Sequence, residues 1–192
     1  MGIKKVQGTT RPVDYTKDRQ PNVKNPMLLI YADGRAQMSV RCKDLLAITA
    51  VTTQALMDQV LAVAEGVKDP ECWTKEDVAA LCDKVGRTPF PTVVEVEHLE
   101  GQGSLLMRVP TVMGSSVAEL SYPKGSNRPS FNLLPALKDE NIRVPEDMCL
   151  EVPVALVMDR GMLKVEAKLT RGKERAVKKE DNETKKDPEE EE

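Results

Sequence analysis

Glu95 and Glu97 stand two residues apart in the run Thr92-Val93-Val94-Glu95-Val96-Glu97-His98-Leu99. On an extended strand that spacing puts both carboxylates on one face, where a pair could ligate a metal or share acid–base work. Alternating acids are also the ordinary mark of a strand's solvent face, and that is the expectation adopted here. His98, the only histidine, falls in register with Val94 and Val96 with no second acid–base group visibly paired with it, so it is expected to be a strand-end or partly buried residue. Cys42, Cys72, Cys82 and Cys149 form no CxxC pair, which with a single histidine predicts no zinc site. Cys82 lies on an apolar helical face and is expected in the core rather than as a nucleophile. Phosphate-cradling, metalloprotease and nucleophile-elbow motifs do not occur, and Gly101-Gln102-Gly103 lacks the third glycine of a dinucleotide fingerprint and reads as a turn. The chain is therefore expected to have no catalytic residues, no metal and no cofactor, and not to be an enzyme.

Binding chemistry is better represented. Lys4, Lys5 and Arg11 lie in a polar segment punctuated by Pro12, Pro21 and Pro26, read as a basic extended arm over residues 1–26. Lys124 and Arg128 sit in Pro123-Lys124-Gly125-Ser126-Asn127-Arg128-Pro129, a loop with good turn chemistry and the most plausible functional loop of the folded part. Arg171, Lys173, Arg175, Lys178 and Lys179 follow the last strand and give way to Asp187-Pro188-Glu189-Glu190-Glu191-Glu192. With 28 basic against 31 acidic residues the net charge is -3, so attraction for a polyanion would have to be local. Aromatic residues make up only 3% of the chain, which counts against a base-stacking platform.

The elements that must position these residues are legible in outline. Met27 to Ala32 and Arg35 to Arg41 flank Asp33-Gly34, the signal of a two-residue hairpin turn. From Asp44 to Glu65 apolar residues recur at helical spacing up to Gly66, predicting one amphipathic helix despite Thr49, Thr52 and Thr53. Thr74 with Asp77 three positions on predicts a capped second helix ending near Gly86. Thr92 to Leu99 and Ser104 to Val109 read as two strands around a glycine-containing turn, and Leu150 to Met158 with Met162 to Leu169 as a second hairpin. Pro153 lacks a backbone N–H, so an edge strand or a bulge is expected there.

The predicted fold class is α+β: an N-terminal β-hairpin and two helices packed on a mainly antiparallel sheet supplied chiefly by residues 92 to 170, with disordered charged N- and C-terminal tails. The expected organisation is a basic extended arm over 1–26, one α+β domain over 27–170 and a disordered charged tail over 171–192. No apolar run approaches the length of a membrane span, so a soluble protein of the cytoplasm, or of a host cytoplasm, without membrane contact is expected. The functional expectation is a non-enzymatic binding or assembly protein, such as a viral or phage structural or accessory component, acting through protein–protein contacts or self-association. The alternative is a nucleic-acid-binding protein using the basic arm and the 171–179 cluster, with the terminal glutamates as an acidic autoinhibitory competitor.

Overall fold

The computed structural model describes residues 26–51, 53–67, 73–86, 91–111 and 116–176. Strands β1 (Met27–Tyr31) and β2 (Arg35–Met38) are followed by helices α1 (Val40–Ile48), α2 (Gln54–Glu65) and α3 (Lys75–Val85). Next come β3 (Val93–Leu99), β4 (Ser104–Arg108), β5 (Val117–Glu119), β6 (Ser130–Asn132) and the short helix α4 (Leu134–Asp139). The described chain closes with β7 (Met148–Asp159), β8 (Met162–Lys168), a 3-10 turn (Leu169–Arg171) and β9 (Lys173–Ala176). The mixed α+β class holds, and every strand pairing is antiparallel.

The strands follow the order β5-β3-β4-β8-β7-β1-β2-β6. The N-terminal hairpin is thus part of the main sheet, not a separate layer upon it. Its two ends are tied by a single bridge in which Ser121 and Ser130 exchange N–H···O bonds of 2.9 Å, giving a nearly closed barrel. Leu28, Ile30, Met38, Leu105, Met107, Val152, Val154 and Val165 fill the interior. Six of the nine α1 residues are buried, and α1 meets β1, β2, β4 and β8, so it lies against the inner side of the curved sheet. The α3 face of Val78 and Leu81 joins the same core.

Several local expectations change. The predicted single helix from Asp44 to Glu65 is two helices. Thr49 caps the first, donating its hydroxyl to Leu46 O at 2.6 Å and accepting from Val109 N at 2.8 Å. A threonine hydroxyl committed this way competes with continued helix, and the β-branched residues that follow do not favour it. The second strand of the first hairpin stops at Met38 because Ser39 turns to cap α1, its hydroxyl accepting from Cys42 N at 3.2 Å. The connection spans three residues rather than two, since Ile30 pairs with Ala36 and Gly34 takes φ +80°. A Cβ on Gly34 would lie 2.6 Å from Leu134 Cβ, so the position needs glycine for space as well as for φ. The Thr74–Asp77 capping box forms as read. So does the β7–β8 hairpin, where Asp159 pairs with Met162 around Arg160 and Gly161, both at positive φ.

Pro153 is not on an edge. It pairs with Met27 in the interior strand β7, at the point where the other side of β7 passes from β9 (through Glu151) to β8 (from Val154). Because Val154 N donates to Pro26 O, strand alternation aims the missing N–H of Pro153 into that break, where no ladder partner is needed. Lys173 to Ala176, expected within the charged tail, form β9 on the half of β7 that β8 does not reach. Among the described residues no helix is long and apolar enough to cross a membrane.

Candidate nucleic-acid interface

Strand register decides which cations meet. Tyr31 pairs with Cys149, and Cys149 with Arg175. The β1–β2 ladder brings Arg35 opposite Tyr31, and Arg35 pairs with Asn132. Arg175, Cys149, Tyr31, Arg35 and Asn132 therefore form one row across β9-β7-β1-β2-β6. Two residues along each strand lies a parallel row of Lys173, Glu151, Leu29, Gln37 and Ser130. Leu28, Ile30, Ala36 and Met38 point into the core, so period-two alternation turns both rows to the outer face. Arg175 and Arg35 stand three strand spacings apart, roughly 14 Å.

The side chains in these rows are held in place. The Arg35 guanidinium lies 4.5 Å from the Tyr31 ring centroid, a cation–π contact, and the Tyr31 hydroxyl donates to Gln37 Oε1 at 3.3 Å. Arg175 donates to Glu151 at 2.9 Å from a partly exposed position. That ion pair leaves further guanidinium donors available. Arg128 arrives from the loop after β5, which turns at Gly125 and is fixed by Arg128 N donating to Ser126 Oγ at 3.1 Å. Arg128 precedes Ser130 of the second row by two residues; burial lowers its pKa while nearby Tyr31 acts the other way, and a guanidinium so placed stays charged. Glu151 is the only carboxylate in the two rows, although the chain as a whole is acidic.

Of the residues singled out from sequence, Lys173, Arg175 and Arg128 meet on this face. Arg171 is exposed on the 3-10 turn leading to it, and Lys124 is exposed at the tip of the Arg128 loop. Lys4, Lys5, Arg11, Lys178 and Lys179 lie outside the described residues, as do most of the expected arm and tail. Tyr31 and Arg35 were missed. Alternation through the hairpin flanks, which puts both opposite the core-facing Ile30 and Ala36, was the signal that could have found them.

A second cluster occupies the outer face of β3, β4, β7 and β8. Glu95 is ion-paired to Arg108, while Glu97 and Asp159 accept from Lys164 Nζ at 2.6 and 2.7 Å. Arg160 lies 3.4 Å from Glu97. Glu95 and Glu97 do share a face, but each is engaged by cations instead of standing free on a solvent face. Burial works to lower the Lys164 pKa, but the hydrogen bonds to Asp159 and Glu97 outweigh it and hold the amine above its ordinary 10.5. Lys164 is thus a cation at neutral pH, not a base.

His98 is partly buried as expected, and it has an acidic partner 42 residues away. Glu140, just past α4, accepts from His98 Nε2 at 2.8 Å, Gly101 N at 2.9 Å and Gly103 N at 3.3 Å, and Asp139 lies 3.7 Å from Nδ1. The His98 hydrogen bond leads the causes that hold Glu140 below its ordinary 4.5, with the two backbone donors acting in the same direction. A carboxylate with a depressed folded pKa contributes stability that is present above its unfolded value and lost as pH falls through the folded one. Denaturant midpoints should therefore fall as pH drops below 4.5 more steeply in the native chain than in Glu140→Gln; parallel curves would show that Glu140 does not anchor the β3–β4 turn.

Burial raises the thiol pKa of Cys42, Cys82 and Cys149. Among the described residues no group of three or more His, Cys, Asp or Glu could hold a metal ion. No protein family model, curated protein or solved structure is matched by this chain.

Proposed function

We propose that this chain is a non-enzymatic nucleic-acid-binding protein that grips a phosphate backbone with the outer face of β9-β7-β1-β2-β6. One observation carries the reading: the strand register gathers Arg35, Lys173 and Arg175 into two adjacent rows with Arg128 beside them, on a chain whose net charge is negative. A local basic field of this kind supplies affinity for phosphates without base readout. The single aromatic of the patch, Tyr31, is occupied by Arg35, so backbone contacts dominate over stacking. A cytoplasmic setting suits the free cysteines Cys42, Cys82 and Cys149. The acidic stretch Asp187 to Glu192 has the charge to compete with nucleic acid for this face.

The test is fluorescence anisotropy of a labelled oligonucleotide over a salt series. Each phosphate contact should add about 0.7 to the log–log slope for a single strand. An affinity indifferent to salt would overturn the reading.

A second reading, a protein-binding or assembly component, is supported by β9. Among the described residues β9 pairs with β7 alone, so its outer edge can accept a further strand, including one from a second copy. Light scattering with and without oligonucleotide separates the two: growth in mass without nucleic acid favours assembly.

A further inference from the structure

Beside the basic rows lies a pocket of about 230 Å³, at the break where β7 exchanges β9 for β8. Pro153 and Ala155, which alternation turns to the outer face of β7, line it with Val67, and Glu166, Lys168 and Arg171 supply its charged lining. Its origin is local. The 3-10 turn Leu169–Arg171 leaves the ladder, Pro153 has no N–H to be paired there, and Ala155 is small. Pockets for drug-sized ligands run from about 300 to 1,000 Å³, so this one has room for a single small planar ring.

Position gives the pocket its meaning. Lys168, Arg171, Lys173 and Arg175 succeed one another along the flank of β7, from the pocket to the basic rows. Pro153 and Cys149 are four residues apart on β7, roughly 13 Å along the strand. A backbone laid over Arg175 and Lys173 therefore leads to the pocket. The lining is threefold: Pro153, Ala155 and Val67 are apolar and suit an uncharged ring, Lys168 and Arg171 are cations for the adjoining phosphate, and Glu166 is a carboxylate that can only accept. Glu166 lies 3.7 Å from Lys168 Nζ and 3.4 Å from Ser104 Oγ, so its carboxylate is anchored. An exocyclic amine of a base is a projecting donor that such a carboxylate accepts, whereas the N3–H of thymine is recessed between two carbonyl oxygens that the carboxylate repels.

We infer that this pocket takes one unstacked nucleobase from a single strand running along β9, with preference for a base bearing an exocyclic amine. The inference rests on the backbone-binding reading and narrows its ligand to single-stranded nucleic acid. A duplex keeps its bases paired and stacked and cannot deliver one to this pocket.

The experiment compares oligo-dC, oligo-dT and a duplex of equal length with the full chain at fixed salt, by anisotropy. Oligo-dC should bind about five- to tenfold tighter than oligo-dT, the net worth of one ordinary hydrogen bond, because the Glu166 carboxylate is already shared with Lys168 and Ser104. Glu166→Gln should bring the two affinities together, because an amide can both donate and accept. Ala155→Leu, which fills the pocket, should weaken oligo-dC while leaving duplex binding unchanged. Equal oligo-dC and oligo-dT affinities in the native chain, or a preference untouched by Glu166→Gln, would overturn the base pocket; if binding nonetheless remained salt-sensitive, the backbone-binding reading would survive. Failure of every oligonucleotide to bind would overturn both.

Discussion

Replacing Arg35, Lys173 and Arg175 together by alanine is expected to weaken oligonucleotide binding roughly a hundredfold at a tenth molar salt and to lower the salt slope by about 2. Arg35 comes from β2 and Lys173 and Arg175 from β9, at opposite ends of the described chain; only the β1–β2, β1–β7 and β7–β9 registers unite them. A loss that exceeds any single substitution, with a matching fall in slope, would show that they contact one backbone. Surface substitutions of this kind usually change stability by no more than about 0.5 kcal/mol each, so the triple variant should stay folded and its circular dichroism unchanged. Glu151→Gln serves as the opposite control. Removing the one carboxylate in the rows frees Arg175 and should tighten binding. Unchanged affinity in the triple variant would move the interface elsewhere.

The second large effect concerns stability. Lys164 is 5% exposed at its side chain and bridges Glu97 and Asp159, holding β3 to the tip of the β7–β8 hairpin. Lys164→Met removes the buried cation between the two carboxylates and leaves them only the exposed Arg160. Breaking a buried ion pair from one side costs about 3–5 kcal/mol, and because both carboxylates are about a third exposed the loss should be nearer about 2 kcal/mol. Adding Glu97→Gln and Asp159→Asn should recover most of it, since the uncompensated charge is what destabilises. The pH profile carries the same signature. The hydrogen bond from Lys164 lowers the Asp159 pKa, so this contribution exists above the ordinary 3.8 and is lost as pH falls through the folded value. Lys164 is raised above 10.5, so its contribution is present below that value and lost as pH rises through the folded one. Thermal melts of Lys164→Met should be flatter than the native curve at both extremes. Identical curves would mean that the cluster is decoration on a strand face.

What could be read from the chain was what is local. The Thr74–Asp77 box, the Arg160-Gly161 turn and the strand alternation of β7 and β8 each need only a few adjacent residues. Closure of the barrel was illegible because it depends on one bridge between Ser121 and Ser130, with no hydrophobic pattern of its own. The break at Thr49 depended on Val109, a partner 60 residues on. β9 was hidden because Lys173-Glu174-Arg175-Ala176 does not alternate apolar with polar; it is a strand only because the long β7 has an edge to offer. The candidate interface followed the same division. Lys173, Arg175 and Arg128 could be named as cations, but that they surround Tyr31 is a property of three registers at once. Pro153 was read as marking an edge strand or a bulge, whereas it lies within the sheet where one side of β7 changes partner; the pocket it lines required knowing that β8 and β9 divide β7 between them.

The most direct measurement is amide chemical-shift mapping of the full chain during titration with a short single-stranded oligonucleotide. If the outer face of β9-β7-β1-β2-β6 grips the backbone, the largest perturbations fall on Tyr31, Arg35, Arg128, Lys173 and Arg175, with Ala155 and Lys168 responding to oligo-dC but not to a duplex. Perturbations confined to the Glu97–Asp159–Lys164 face, or none anywhere in β1, β2, β7 and β9, would contradict it.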